Sequence, residues 1–272
     1  GAGVGEAKWI TGYAKDVPNV ELSATVSGIS FATFGVGYDT NYEEVGMAAN
    51  AGFNIEPRKA NIARRKAEEF IQQRAMIGDT DKGWTGLINK TGVTIMPAAV
   101  KAAGGTQWVN NDGTLNATAQ EIAADLLNLV LGPVTATSQV RPLIVDTVAL
   151  PSLAYRALAT TFTDALNGSI SYLEWVRRAV GQAPGGSTFA IVEIPELSSA
   201  ATTVISGGGR AIGYRRALDI VELPMPFAFR FLNQYKDAPY GWEVPGWARI
   251  GQVTVWETRG FRYADGIQQV PA

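Results

Sequence analysis

From Asn54 to Ile77 the chain sets Ile55, Ile62, Phe70 and Ile77 seven or eight residues apart, with Ala63, Ala67 and Ile71 filling the row. That spacing predicts one long helix with a single narrow apolar seam. Asn54 is placed to cap it, and Glu56 and Pro57 fall in the first turn, where an anion and a proline are tolerated. Gly78 stops it. At ~1.5 Å of rise per residue the rod is about 35 Å long. Its other faces carry Arg58, Lys59, Arg64, Arg65, Lys66, Glu68, Glu69 and Arg74. Any fold for this chain must house a rod of that length with only a thin stripe to bury. Charge runs of this kind are commonly solvated faces. The functional reading is a rod that lines a shell and faces neighbours or nucleic acid.

The segment before the rod reads as β structure. Val20, Leu22, Ala24 and Val26 alternate with polar residues, Ser27-Gly28 is a turn signal, and Ile29, Phe31, Thr33, Phe34, Val36 and Tyr38 are β-formers. Two such runs about a glycine turn predict a hairpin. Its charges cluster at Asp39, Glu43 and Glu44, and no Lys or Arg lies between Lys15 and Arg58. A long, partly apolar hairpin is either an ordinary part of a sheet or an exposed edge that another subunit must cover. Residues 1 to 20, with several glycines and Pro18, read as an extended arm.

Further along, Trp84 to Asn89 reads as a turn followed by a strand. Thr118 opens a helix through Leu131 with a capping box to Glu121, inward Ile122, Leu126, Leu129 and Val130, and a stop at Gly132-Pro133. Ser152 is expected to cap a helix over Leu153 to Ala165, and Ser171 to Val180 forms another with Tyr172, Trp175 and Val176 inward. Strands are expected over Arg141 to Leu150, Phe189 to Ile194, Ala211 to Tyr214, Leu218 to Leu223, Trp247 to Trp256 and Gly260 to Ala264. Ser206 to Gly209 reads as a flexible loop and Tyr240 to Pro245 as a turn-rich link. Helices and strands mix without simple alternation, so the class is α+β.

Composition removes most chemistry. The 272 residues include no His and no Cys, so there is no Ser-His-Asp triad, no thiolate and neither of the commonest zinc ligands. Gly1 to Lys8 lacks the spacing of a phosphate loop, and Gly207-Gly208-Gly209 followed by Gly213 only loosely follows a dinucleotide loop. Pairs such as Glu43 with Glu44, Glu68 with Glu69 and Glu193 with Glu196 leave a carboxylate-dependent hydrolase as the enzymatic alternative, with Trp242 and Trp247 able to stack sugars. No catalytic, cofactor-binding or metal-binding residue is assigned. A net charge of −2 argues against a dedicated nucleic-acid binder, and no apolar run is long enough to span a membrane. The chain opens on Gly1 with no signal peptide, the start expected of a processed chain or of a piece of a longer product.

The order of segments carries a resemblance. An arm and a hairpin precede the charged helix, which ends in Gly78-Asp79 and Gly83-Trp-Thr-Gly86-Leu87-Ile88-Asn89. Asp112-Gly-Thr-Leu-Asn-Ala-Thr118 leads into the next helix, and Pro142 to Leu150 runs into Pro151-Ser152-Leu153-Ala154-Tyr155. The chain closes with Gly246-Trp-Ala-Arg249-Ile-Gly251 and Phe261-Arg-Tyr263-Ala-Asp265-Gly266-Ile267. The whole resembles the major capsid proteins of tailed phages that share the Hong Kong 97-type fold.

That resemblance implies a structural subunit and no enzyme. Residues 1–20 would be the N-arm, 21–52 the E-loop hairpin, 53–115 the peripheral domain with its spine helix, 116–237 the axial domain and 238–272 the returning peripheral strands. Subunits would form hexamers and pentamers of an icosahedral shell around double-stranded DNA, contacted without sequence preference. Portal, scaffold or decoration proteins would be further partners, with no membrane and no cofactor. Assembly would take place in the host cytoplasm, and the protein would end in the virion. Phe31, Phe34, Tyr38, Arg58, Arg64, Arg65, Gly207, Gly208 and Gly209 are the candidate subunit contacts. An encapsulin-like nanocompartment shell, which shares the fold, is the alternative.

Some members of that family join an E-loop lysine to a neighbour's asparagine. Here no lysine lies between Asp16 and Pro57. Boiled, assembled particles are therefore expected to run on a denaturing gel as one band near 29.0 kDa; a ladder of covalent multimers would contradict this.

Overall fold

The computed structural model describes residues 2–4, 21–23, 29–136, 145–163, 170–181, 189–199 and 208–269. It comprises two compact units, residues 1–30 and 31–272. In the first, β1 (Ala2–Val4) and β2 (Glu21–Ser23) pair antiparallel, with Gly3 opposite Leu22. Of the hairpin expected about Ser27-Gly28, the described residues Glu21–Ser23 of the first run pair with β1, and the turn itself lies outside the described residues.

The second unit opens with β3 (Phe31–Gly35) and β4 (Tyr38–Asn41), then α1 (Tyr42–Asn50) and α2 (Ile55–Met76). Next come β5 (Gly78–Asp79), β6 (Trp84–Thr85), β7 (Thr94–Pro97), α3 (Ala119–Ala136), β8 (Thr147–Leu150) and α4 (Ser152–Thr160). They lead to β9 (Phe162–Thr163), β10 (Ile170–Ser171), α5 (Tyr172–Gly181), β11 (Ala190–Glu193), β12 (Gly209–Tyr214) and β13 (Val221–Glu222). The last are β14 (Phe227–Phe231), β15 (Tyr235–Ala238), β16 (Gly241–Val244), β17 (Gly246–Gly251), β18 (Thr254–Val255) and β19 (Phe261–Gln268).

A five-stranded sheet of order β11-β8-β12-β19-β7 holds the core. β11 runs parallel to β8 and β7 to β19, while β12 is antiparallel to both its neighbours. Period-two alternation sends Val148 and Leu150 to one face and Ala149 to the other. The first face meets Ile122, Leu126 and Leu129 of α3, Leu158 of α4 and Val176 of α5. The second meets Ile88, Val93, Ile194 and Leu197, beside Ile212, Phe261 and Tyr263. The capping box of α3 forms as its sequence predicts: Thr118 N–H donates to Glu121 Oε2 at 2.8 Å, and Glu121 N–H donates to Thr118 Oγ1 at 3.3 Å. Gly132-Pro133 does not end α3, which runs on to Ala136. A proline withdraws one N–H from the ladder, and the buried row Ile122, Leu126 and Leu129 holds the rest of the helix on the sheet. Ser152 is the first residue of α4 and not its cap, and that helix ends at Thr160.

A ribbon of three strands forms the other half of this unit. The hairpin from Phe227 to Gly251 pairs β14 with β17 and β15 with β16, and β3 and β4 lie along its far side. The expected turn-rich link over Tyr240 to Pro245 is therefore mostly strand, and 227–238, with no element expected, supplies two more. A domain cut at 237/238 would run through this hairpin. β19, expected among the returning peripheral strands, lies instead in the five-stranded sheet beside β12.

Where α2 ends, a buried charge ties it to that sheet. Arg210 Nε and Nη2 donate to the two oxygens of Asp265 at 2.5 and 2.7 Å, across β12 and β19. Its Nη1 donates to the Ile88 carbonyl at 2.6 Å, and its guanidinium lies 4.2 Å from the Tyr263 ring centroid. Tyr263 donates its hydroxyl hydrogen to the Leu87 carbonyl at 2.6 Å and accepts from Lys90 N–H at 2.9 Å. Leu87 and Ile88 N–H in turn donate to the carbonyls of Ala75 and Met76 in the last turn of α2, at 2.9 and 3.1 Å.

Burial pushes the Tyr263 phenol up to about 12. A phenol whose folded pKa is raised stabilises the fold fully below the unfolded value near 10 and stops doing so as pH passes the folded value. The unfolding free energy from urea titrations is therefore expected to fall between roughly pH 10 and pH 12, by about 2 to 3 kcal/mol from this group. The stability gap between wild type and Tyr263→Phe should close over that window; a gap independent of pH would contradict the assignment.

Candidate assembly surface

α1 and α2 meet at a corner built by local rules. Asn41 Oδ1 caps α1 by accepting from Glu44 N–H at 2.8 Å, and Asn54 Oδ1 caps α2 by accepting from Glu56 N–H at 3.2 Å. Glu43 and Glu44 sit in the first turn of α1, where the helix dipole favours negative charge. Lys59 Nζ joins the helices, donating to Glu44 Oε2 at 2.5 Å and to the Asp39 carbonyl at 2.8 Å. α1 was hidden from sequence reading inside the expected hairpin, although its Asn41 cap and acidic first turn are the signals that mark it.

The seam of α2 is narrower than expected. Only Ala63 and Ala67 are fully buried. Phe70 is half-buried with its ring centroid 4.6 Å from that of Phe34 on β3, and small residues in the seam let the rod lie close to the ribbon. Ile62, expected in the seam, is 60% exposed and points away from it. Beside it on the outer face lie Arg58, whose guanidinium stacks 4.5 Å from the Phe53 ring centroid, and Arg65, 3.3 Å from Glu69. Tyr42 and Met47 of α1 are 63% and 64% exposed.

The candidate contacts therefore divide. Arg58, Arg64, Arg65 and Phe31 are exposed. Phe34 is engaged within the chain with Phe70, and Tyr38 sets its edge on Phe231 at 5.6 Å, its phenol pushed up by burial and then by Glu56. Gly208 and Gly209 are corrected from a mobile loop to buried positions. Gly209 opens β12 with its α-carbon facing the Gln268 side chain, where a Cβ would meet Cγ at 2.5 Å. Gly207 lies outside the described residues. The corner residues Tyr42, Met47 and Phe53 were not among the candidates.

One member of each carboxylate pair has a structural partner. Glu44 binds Lys59, Glu69 binds Lys66 at 2.7 Å and Glu196 accepts from Gln72 at 3.0 Å.

Residues 5–267 match the family model described as Major capsid protein. The chain belongs to this family. Its structure is similar to the capsid of Myoviridae phage XM1, with a TM-score of 0.71 and 15% identity over 98% of this chain and 83% of that one. It is also similar to Microbacterium phage Oxtober96, with a TM-score of 0.57 and 11% identity over 98% and 84% of the two chains. Mycobacterium phage Adephagia follows with a TM-score of 0.53 and 12% identity over 99% and 83%. No curated protein matches the chain. These likenesses bear out the expected α+β capsid fold of the Hong Kong 97 type. This capsid protein is a structural subunit of its family.

The Lys59 side chain bonds both to Glu44 of α1 and to the Asp39 carbonyl of β4. Replacing it with Ala is expected to cost about 1 kcal/mol in thermal unfolding, the loss of a partly exposed ion pair and one further hydrogen bond. Amide exchange should speed up in 42–50 and not in β12 or β19; uniform loss of protection would point to a global effect instead.

Proposed function

We propose that this capsid protein assembles without covalent links into hexamers and pentamers that close an icosahedral phage head around double-stranded DNA. The observation that supports this best is the match of the family model along nearly the whole chain, residues 5–267. The α2 rod adds physical support, since it buries one thin face in its own subunit and leaves a charged face for neighbours. In this reading the subunit does no catalysis, is assembled in the host cytoplasm and ends in the virion. Contact with the enclosed DNA is electrostatic and independent of sequence. Portal, scaffold and decoration proteins complete the partner set.

We assign the subunit's parts in keeping with the pairing of the strands. Residues 1–20 act as the arm, and the E-loop is the segment that ends before β3, because β3 and β4 are held in the ribbon. The peripheral domain comprises α1, α2 and the ribbon, and the axial domain comprises the five-stranded sheet with α3, α4 and α5. Modest contacts suffice when repeated over many copies. Negative-stain microscopy and size exclusion of the purified protein are expected to show shells or capsomers of very large mass. A protein that stays monomeric at every concentration and salt would overturn the proposal.

A further inference from the structure

We infer that the α1–α2 corner is a self-complementary face that binds the same corner of a second copy of this chain about a two-fold axis. This rests on the shell reading above. Three observations carry it. Charge is segregated along the chain: residues 29–57 hold Asp39, Glu43, Glu44 and Glu56 with no Lys or Arg, whereas 58–66 hold Arg58, Lys59, Arg64, Arg65 and Lys66 with no Asp or Glu. Folding brings these two stretches side by side, yet among the described residues only Lys59 and Glu44 form an ion pair between them. Asp39 and Glu43 stay exposed, and so do Arg58, Arg64 and Arg65, the last of them 3.3 Å from Glu69 on its own helix.

The corner is also apolar where a solvated surface has no need to be. Tyr42 and Met47 on α1, Phe53 in the turn and Ile62 on α2 are all exposed, while the small neighbours Ala48 and Ala63 are buried. Large side chains turned outward beside small ones turned inward are the pattern of a contact and not of a solvated face.

The arrangement selects its occupant by charge complementarity. A patch that carries exposed acidic side chains on α1 and β4, exposed arginines on α2 and exposed apolar side chains among them is matched by its own copy turned through a half rotation, so that each ion pair occurs twice. Duplex DNA is the poorer partner, since its phosphates would be repelled by Asp39 and Glu43 and offer nothing to Met47 or Ile62.

A charge swap on the full chain tests this. Glu43→Lys and Arg65→Glu, each alone, should raise the protein concentration at which particles appear by more than about tenfold, because two attractive contacts per interface become repulsive. The double variant should return to within about twofold of wild type, since the pairing is restored in reverse. Ile62→Ser should raise the threshold while leaving the melting temperature of the unassembled subunit unchanged, which covers the case where a reversed charge disturbs folding. Single variants that assemble at the wild-type concentration, or a double variant without rescue, would overturn the inference. So would single variants that assemble normally but enclose less DNA, which would assign the arginines to nucleic acid. A wild type that forms no particles at all would instead sink the shell reading on which the inference rests.

Discussion

One buried guanidinium decides how the rod leaves the core. Arg210 is 2% exposed, and a charge so deeply placed is tolerable only with a full set of partners. Asp265 takes two of its donors and the Ile88 carbonyl a third, so the register of β12 on β19 and the course of the chain after α2 are settled together. Tyr263 repeats the link at Leu87 and Lys90. Leu87 and Ile88 in turn hold the last carbonyls of α2. Gly86 is required there, for a Cβ would stand 2.2 Å from the Met76 carbonyl oxygen. A second buried ion pair, Lys101 with Asp125, receives the Trp108 indole N–H on the same carboxylate and anchors the 98–117 loop to α3.

The two halves of the large unit are stabilised differently. The five-stranded sheet is covered on both faces and carries most of the buried apolar residues. The ribbon and α2 bury fewer: Ala63 and Ala67 on α2, and Val244, Ala248 and Ile250 on β16 and β17, beside aromatic contacts such as Phe34–Phe70 and Tyr38–Phe231. Part of the subunit is thus a conventional core, and part is a scaffold whose large side chains face outward. Exposed large side chains such as Tyr42, Met47 and Ile62 are the kind of surface that a contact covers.

Local signals were read correctly where they are self-contained. The Asn54 cap and the Thr118 capping box need only the residues within one turn, so α2 and α3 were visible in the chain. β14 was passed over although Phe227, Phe229 and Phe231 alternate, because Pro224 and Pro226 before it read as breakers. Those prolines lie outside the paired residues, so they cost the ribbon no hydrogen bond. β3 and β4 were seen as strands but given the wrong partner. A strand pattern specifies a face and not a neighbour, and the true partners, β16 and β17, lie at the other end of the chain.

The sequence alone determined the α+β class, the rod, its caps, the segregation of acidic from basic residues and, through the lack of His and Cys, the narrow range of chemistry open to this protein. The segment order also pointed to the capsid family. Tertiary structure alone decided which residues are surface. Ile62 turns outward because the seam is centred on Ala63 and Ala67, and Gly209 turns inward because β12 needs close approach to β19. Periodicity fixes a residue's angle on its own element, but exposure depends on what that element packs against, and those partners here are set by pairings between distant parts of the chain.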